Sequence, residues 1–419
     1  MKQKKAAQIV LWLLLVSAVL LILSYFDVLD RPFALPPDPE KLILTDQSGP
    51  VSENTLPADN QSDTSAVVNA DQMTVPTTAE QIDPVEDESL QELVFTDNDP
   101  DLLTTDGSKL RVWPEKSSVP AVGSSETAVL AQATEDKPLA GAFIIVDPGH
   151  GGSDVGVSWQ GEGESEVLLE KTLNLEIATK VQEELTRLGA EVRLTRSTDE
   201  KHSYFYIMAY TADLLLQRYA ADIKQAGYNP EPLEPLRLLM QDVIRINSGL
   251  QDSGGRGIFG SIGTPPNLKL IYDIQGEYKD TVFISLHLEA SEQAEDKGVR
   301  VRYMSKEYVH DMNNSYAVGT DALAHAPNYS GYNTARRESL ATLLEDRLTT
   351  LDPRLKSNLE AVFEDDLVVL RLNNVTSVQL TCGFLSHAED RARLTSQEGQ
   401  ALIARGIAEA LLQYFTANP

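Results

Sequence analysis

Cysteine is almost absent: Cys382 stands alone among 419 residues, so no disulfide can form within the chain and cysteine usage says nothing about compartment. Stability has to come from an apolar core or a bound metal, and a chain of this length can bury a sizeable core. Positive charge is scarce too. Lys and Arg total 35 against 63 Asp and Glu, a formal net charge of −28, and a chain without a basic face is not expected to bind nucleic acid. That balance suits a self-repelling, soluble body working near a polyanionic surface. Histidine is sparse as well, at six residues, which makes the position of each informative.

One long apolar run is present at the N-terminal end. Residues 6–26 are interrupted only by Gln8, Ser17 and Ser24, and about 20 apolar residues suffice to cross a bilayer core as a helix. Lys2, Lys4 and Lys5 precede the run, and basic residues on the short side keep that end in the cytoplasm. The expectation is a single-pass protein of the cell membrane, with residues 1–5 a cytoplasmic tail, residues 6–26 a transmembrane anchor, and the rest extracytoplasmic. A cleaved signal peptide is the alternative. It needs a shorter apolar region and a small-x-small site, which Ser24-Tyr25-Phe26-Asp27 does not offer.

Residues 27–138 follow as an acidic linker rich in Ser, Thr, Asp, Glu and Pro. Such a segment cannot bury enough apolar area to offset its ordering entropy, so it is expected to be disordered. Only 90–95 and 110–113 read as local strands.

Regular patterning begins in residues 139–419. A strand over 142–146, a helix over 170–188 stopped by Gly189, and a second strand over 191–195 give a strand–helix–strand order. It predicts an α/β fold, an open twisted sheet with helices on both faces. Residues 201–279 read as a helical insert, with helices over 204–226 and 235–246 and a Gly/Pro-rich loop over 254–266. Strands are expected at 281–286, 299–303, 367–370 and 378–381, and helices at 337–350 and 397–415.

Two histidines close buried strands. His150 lies in Pro148-Gly149-His150-Gly151-Gly152, where an apolar strand meets a loop that close backbone approach would suit. His287 ends the run Val282-Phe283-Ile284-Ser285-Leu286. Glu170 opens the helix after the first loop and can point back toward the same rim. Two imidazoles and one carboxylate make a catalytic zinc site with a fourth position for water, which the metal acidifies. Plainer readings stand beside this one: His150 as an incidental turn residue, and Glu170 as a carboxylate favouring its helix N-terminus. Glu162, Glu164 and Glu166 are rivals for the carboxylate role.

Taken in order, Ile145 through Gly152, Glu170-Lys171 with Leu173 and Leu175, Thr195-Arg196, Phe283 through His287 and Gly383-Phe384-Leu385-Ser386 resemble the zinc-dependent N-acetylmuramoyl-L-alanine amidases of the type 3 class. The resemblance implies Zn2+ bound by His150, Glu170 and His287. It also implies hydrolysis of the amide between the lactyl group of N-acetylmuramic acid and L-alanine in peptidoglycan. Some relatives carry an inserted helix over the metal, so the insert 201–279 is expected to be a lid or the docking site of a regulatory protein partner. Its alternative is an added helical layer without a role of its own.

The departures from that pattern are chemical. Thr381 stands where the family has its catalytic glutamate, and a threonine hydroxyl cannot act as a base near neutral pH. Gln379 shares its strand face, so the row is polar yet uncharged. Glu289 is the nearest spare carboxylate and the candidate substitute base. His387 replaces a common Asn and is expected at the surface; Cys382 is expected in the core. Two classes follow, a peptidoglycan amidase with a rewired or weakened site and a silent relative that binds wall or regulates envelope enzymes.

Overall fold

Every residue of Phe143–Pro148 is buried, as is every residue of Thr376–Phe384. A strand buried along its whole length needs a layer against each face. The computed structural model describes residues 90–93, 119–121, 130–161, 165–248, 266–316, 329 and 331–417. In chain order these form β1 (Phe143–Pro148), β2 (Ser158–Gln160), β3 (Val167–Leu169), α1 (Glu170–Arg187), β4 (Glu191–Leu194), α2 (Tyr204–Gln225) and α3 (Glu234–Asn247). They continue as α4 (Pro266–Glu277), β5 (Thr281–Glu289), β6 (Arg300–Tyr303), α5 (Lys306–Tyr316) and α6 (Thr334–Leu351). The last are β7 (Val362–Glu364), α7 (Val368–Arg371), β8 (Thr376–Phe384), α8 (Ala388–Leu394) and α9 (Gln397–Ala417).

The main sheet has six strands in the order β4-β1-β5-β8-β6-β7. β4, β1, β5 and β8 are mutually parallel, and β6 runs antiparallel to β8. Alternation along β1 divides its side chains: Ile144 and Val146 enter one core and Phe143 and Ile145 the other. The first core is closed by Ile177 of α1, Leu344 of α6 and Ile407 of α9. The second is closed by Leu216 and Tyr219 of α2, Met240 of α3 and Ile274 of α4. Helices therefore cover both faces, as expected.

Local signals explain the boundaries. α1 presents Leu173, Ile177, Val181 and Leu185 on one stripe and stops before Gly189, whose φ is 98°. Ser203 caps α2 by accepting from the Tyr206 N–H, and Asn333 caps α6 by accepting from the Arg336 N–H at 3.0 Å. That cap starts α6 three residues before the expected 337. The strand expected at 367–370 is instead the short helix Val368–Arg371. A four-residue apolar run does not distinguish strand from helix, and Val369 and Leu370 simply fill the second core.

The anchor expected at 6–26 lies outside the described residues, as does most of the linker. Among the described residues no helix is long and apolar enough to cross a membrane. A few described residues of 27–138 are packed against the domain, although 131–137 are exposed. Leu93 and Val119 join the second core and Leu130 the first. Gln91 donates to the Gly227 carbonyl at 2.7 Å and accepts from the Asn229 N–H at 2.9 Å, and the Tyr219 hydroxyl donates to the Pro120 carbonyl at 2.9 Å. A few apolar residues scattered in an acidic stretch are enough to pin it where α2 offers a complementary surface.

α2 is accordingly a structural layer of the sheet. Leu216 is fully buried within it, and Leu216→Ala is expected to cost about 2–5 kcal/mol, read from the urea midpoint. An unchanged midpoint would show α2 to be a dispensable addition.

Candidate metal centre

The C-terminal edge of the parallel strands gathers the chemically active side chains. β1 delivers Pro148 and Gly149 to the rim, and the next residue, His150, has a φ of 64°. No other described non-glycine residue has a positive φ, and holding that conformation costs on the order of 1–3 kcal/mol. A Cβ on Gly149 would collide with the His287 imidazole, so the two segments approach more closely than any other residue allows.

Arg196 fixes this loop. It is buried, and its guanidinium donates to the carbonyls of Pro148 at 2.8 Å, Gly149 at 3.1 Å, Thr198 at 3.1 Å and Lys171 at 2.7 Å. Lys171 and Asp199 clamp the outer turn: Lys171 Nζ donates to the Gly152 carbonyl at 2.7 Å, and Asp199 accepts from the Gly152 N–H at 2.8 Å.

Glu170, the first residue of α1, is only 1% exposed. Its Oε2 accepts from the Val157 N–H at 2.8 Å and lies 3.2 Å from His150 Nε2. Its Oε1 accepts from the Leu288 N–H at 2.8 Å and lies 3.1 Å from His287 Nδ1. The two imidazoles meet edge to face at 5.0 Å. Asp154 sits 2.9 Å from His150 Nδ1, which places the proton on that nitrogen and leaves Nε2 facing Glu170.

Burial opposes the charge on Glu170, yet the hydrogen bonds from His150 and His287 outweigh it and hold the carboxyl well below its usual range. Burial likewise opposes a charged His150, but Glu170 and then Asp154 raise its pKa to about 9.

These residues fit a metal. One ligand atom from each of His150, Glu170 and His287 lies within 4.8 Å of the other two, so a small inward shift of the rings brings them to the roughly 3.3–3.6 Å separation of tetrahedral donors about 2.0–2.2 Å from zinc. The donor set, two imidazoles and a carboxylate, is that of a catalytic zinc with a position left for water.

Of the rival carboxylates, Glu166 is exposed, and Glu162 and Glu164 lie outside the described residues. His387 is not at this centre. It caps α8, its Nδ1 accepting from the Asp390 N–H at 3.3 Å. Cys382 is buried in the first core, where burial pushes its thiol up to about 12.

Thr381 pairs in register with His287 across β8 and β5. Its hydroxyl donates to Glu289 Oε1 at 3.0 Å and accepts from Arg302 Nη1 at 2.9 Å. Glu289, set beyond a bulge that follows His287, is gripped by Arg302 and by Arg300 Nη1 at 2.9 Å. Burial works against its charge, but the guanidiniums prevail and hold the carboxyl below its ordinary value. A carboxylate thus does touch the Thr381 side chain, in an ionised and poorly basic form.

Beside the cluster lies a cavity of about 450 Å³ whose lining includes His150, His287, Gln379, Arg196, His202 and Val369. The sequence reading assigned no role to Asp154, Arg196, His202 or Arg302. Arg196 belongs to a motif block and Asp154 to the turn that carries His150, whereas His202 and Arg302 carry no local signal.

A family model described as N-acetylmuramoyl-L-alanine amidase matches residues 144–223 and 256–413, more than half of the chain. The match runs through most of α2 and resumes before α4, so its interruption is narrower than the insert expected at 201–279 and centres on α3. The probable cell wall amidase LytH of Staphylococcus aureus is 43% identical over 72 residues, 17% of this chain and 24% of that protein. Its Staphylococcus epidermidis counterpart is 42% identical over 69 residues, 16% of this chain and 23% of that protein. The chain thus spans about a quarter of the length of these curated relatives. Among solved structures, the CwlD amidase of Clostridioides difficile, in complex with the GerS lipoprotein, is 22% identical. It covers 66% of this chain and 100% of its own, with a TM-score of 0.37.

The pairing of His150 with Glu170 gives the metal-free protein a distinctive pH dependence. His150, raised from 6.5 to about 9, contributes stability that is complete below pH 6.5 and is lost as pH rises through about 9. Glu170, lowered from 4.5, contributes stability present above pH 4.5 and lost only in stronger acid. The stability difference between chelated wild type and His150→Gln should therefore shrink between pH 6.5 and 9. Zinc affinity should rise over the same range, because the metal displaces that proton. A pH-independent difference would rule out the pairing. Arg196→Ala should weaken zinc binding about 10- to 100-fold, measured by chelator competition.

Proposed function

The chain belongs to the N-acetylmuramoyl-L-alanine amidase family, and from that premise we propose that it hydrolyses the lactyl–L-alanine amide of peptidoglycan with a zinc ion held by His150, Glu170 and His287. The observation that carries this reading is the convergence of those three side chains at the sheet edge, within 4.8 Å of one another. When bound, zinc supplies an acidified water and polarises the scissile carbonyl.

The protein's own groups set the rest. Asp154 fixes the His150 tautomer, and Arg196 holds the loop that presents the ring. Glu289 takes the proton-accepting role that Thr381 cannot fill. Two guanidiniums keep Glu289 ionised at the cost of basicity, so turnover is slow. The same clamp supports a second reading, a protein that binds cell wall without cleaving it.

The proposal extends to placement. Residues 6–26 anchor the protein in the cell membrane with the amidase-like domain outside, where peptidoglycan lies. A regulatory protein partner docks on the region 201–279, where Leu238 of α3 is 53% exposed.

Incubating the zinc-loaded protein with peptidoglycan should release new L-alanine amino termini, and Glu289→Gln should lower the rate about 10²- to 10⁴-fold at unchanged zinc content. No release from zinc-loaded wild type would leave only the wall-binding reading. A Glu289→Gln rate equal to wild type would remove Glu289 from the chemistry.

A further inference from the structure

The cavity beside the cluster has a wall that the reaction above does not use. Where the chain enters α2, His202, Tyr204 and Ile207 line the same space as His150 and His287. The His202 side chain is only 7% exposed, and its Nδ1 is sealed from solvent with no hydrogen-bond partner. The nearest acid, Glu200, approaches Nε2 no closer than 3.8 Å, beyond hydrogen-bond reach.

The ring is nevertheless held firmly. It stacks on Tyr206 with centroids 3.6 Å apart and planes 6° from parallel. Its backbone bridges to Ser248, and the Ser203 hydroxyl bonds Asn247 Oδ1 at 3.1 Å. A rigid, buried imidazole with an unanswered nitrogen is unusual in a native interior, where such groups find partners.

We propose that His202 is a substrate-binding residue, hydrogen-bonding an amide of the peptide stem once entry of the stem opens the cavity wall over Nδ1. The inference rests on the peptidoglycan reading of the same site. An amide is the matching chemistry. Burial pushes the His202 pKa below its ordinary value, so the ring is neutral, with one nitrogen donating and the other accepting. Nothing about a neutral ring selects a full charge. The Arg196 guanidinium in the same wall is already engaged with backbone carbonyls. Ile207 and Val369 supply apolar surface for the stem's methyl groups, and about 450 Å³ is within the usual range of small-ligand pockets.

The test uses the zinc-loaded full chain and N-acetylmuramoyl-L-alanyl-D-isoglutamine as probe. Calorimetry should show His202→Phe, which keeps a ring to stack on Tyr206, binding about 5- to 10-fold more weakly than wild type, the worth of one hydrogen bond. His202→Asn, which keeps a polar atom near the place of Nδ1, should retain most of the affinity. In ¹⁵N-histidine spectra the His202 ring nitrogens should shift in step with binding. Zinc content and thermal midpoint, measured on each variant, separate a lost contact from a misfolded protein.

If wild type binds the probe and His202→Phe binds it equally well, or the His202 nitrogens do not move, the inference is overturned and the amidase reading stands. If zinc-loaded wild type does not bind the probe at all, the reading of the site fails and the inference falls with it.

Discussion

A single buried carboxylate organises the centre. Glu170 faces two imidazoles and two backbone N–H groups at once, and the four contacts come from three segments: the loop after β1, the approach to β2, and the end of β5. Removing the carboxylate would leave those donors buried without an acceptor, a loss greater than that of any one contact. Glu170 can stand there because α1 starts at that residue, placing a negative charge on the favoured end of the helix. The helix in turn is held by its apolar stripe against the first core. The geometry of the centre is thus a consequence of how α1 packs on the sheet.

The sheet carries out a second division of labour. Along β5, the side chains that alternate away from the first core run from Phe283 through Ser285 to His287, passing from apolar to polar to metal-type donor toward the rim. Asp147 sits on the same face of β1 and accepts from Thr195 at 2.6 Å and Ser285 at 2.7 Å, so the polar layer beneath the histidines is internally satisfied. The second core ends where this layer begins, and the cavity opens above it.

Much of this could be read from the sequence, and the reasons are specific. His150 and His287 were legible because buried strands end abruptly at them, and Glu170 because a strong helical stripe begins there. Thr381 stood out as a departure, and the structure adds that Glu289 and Arg302 close around it. What could not be read was long-range. Arg302 reaches Thr381 only because β6 runs antiparallel beside β8, a pairing that no local pattern encodes. The apolar run 367–370 suggests a strand but forms the helix Val368–Arg371, because periodicity is uninformative over one helical turn. The linker was read from its average composition, which conceals a few isolated apolar residues.

Those residues bear on where the protein can be cut. Leu93 and Val119 lie upstream of residue 144, where the family match begins, yet both sit in the core that α2 closes. A fragment trimmed to the family match would uncover the Tyr219 hydroxyl, which bonds Pro120, and the backbone edge at Gly227 and Asn229 that Gln91 bridges. The smallest self-sufficient piece of this protein is therefore longer than its recognisable homology.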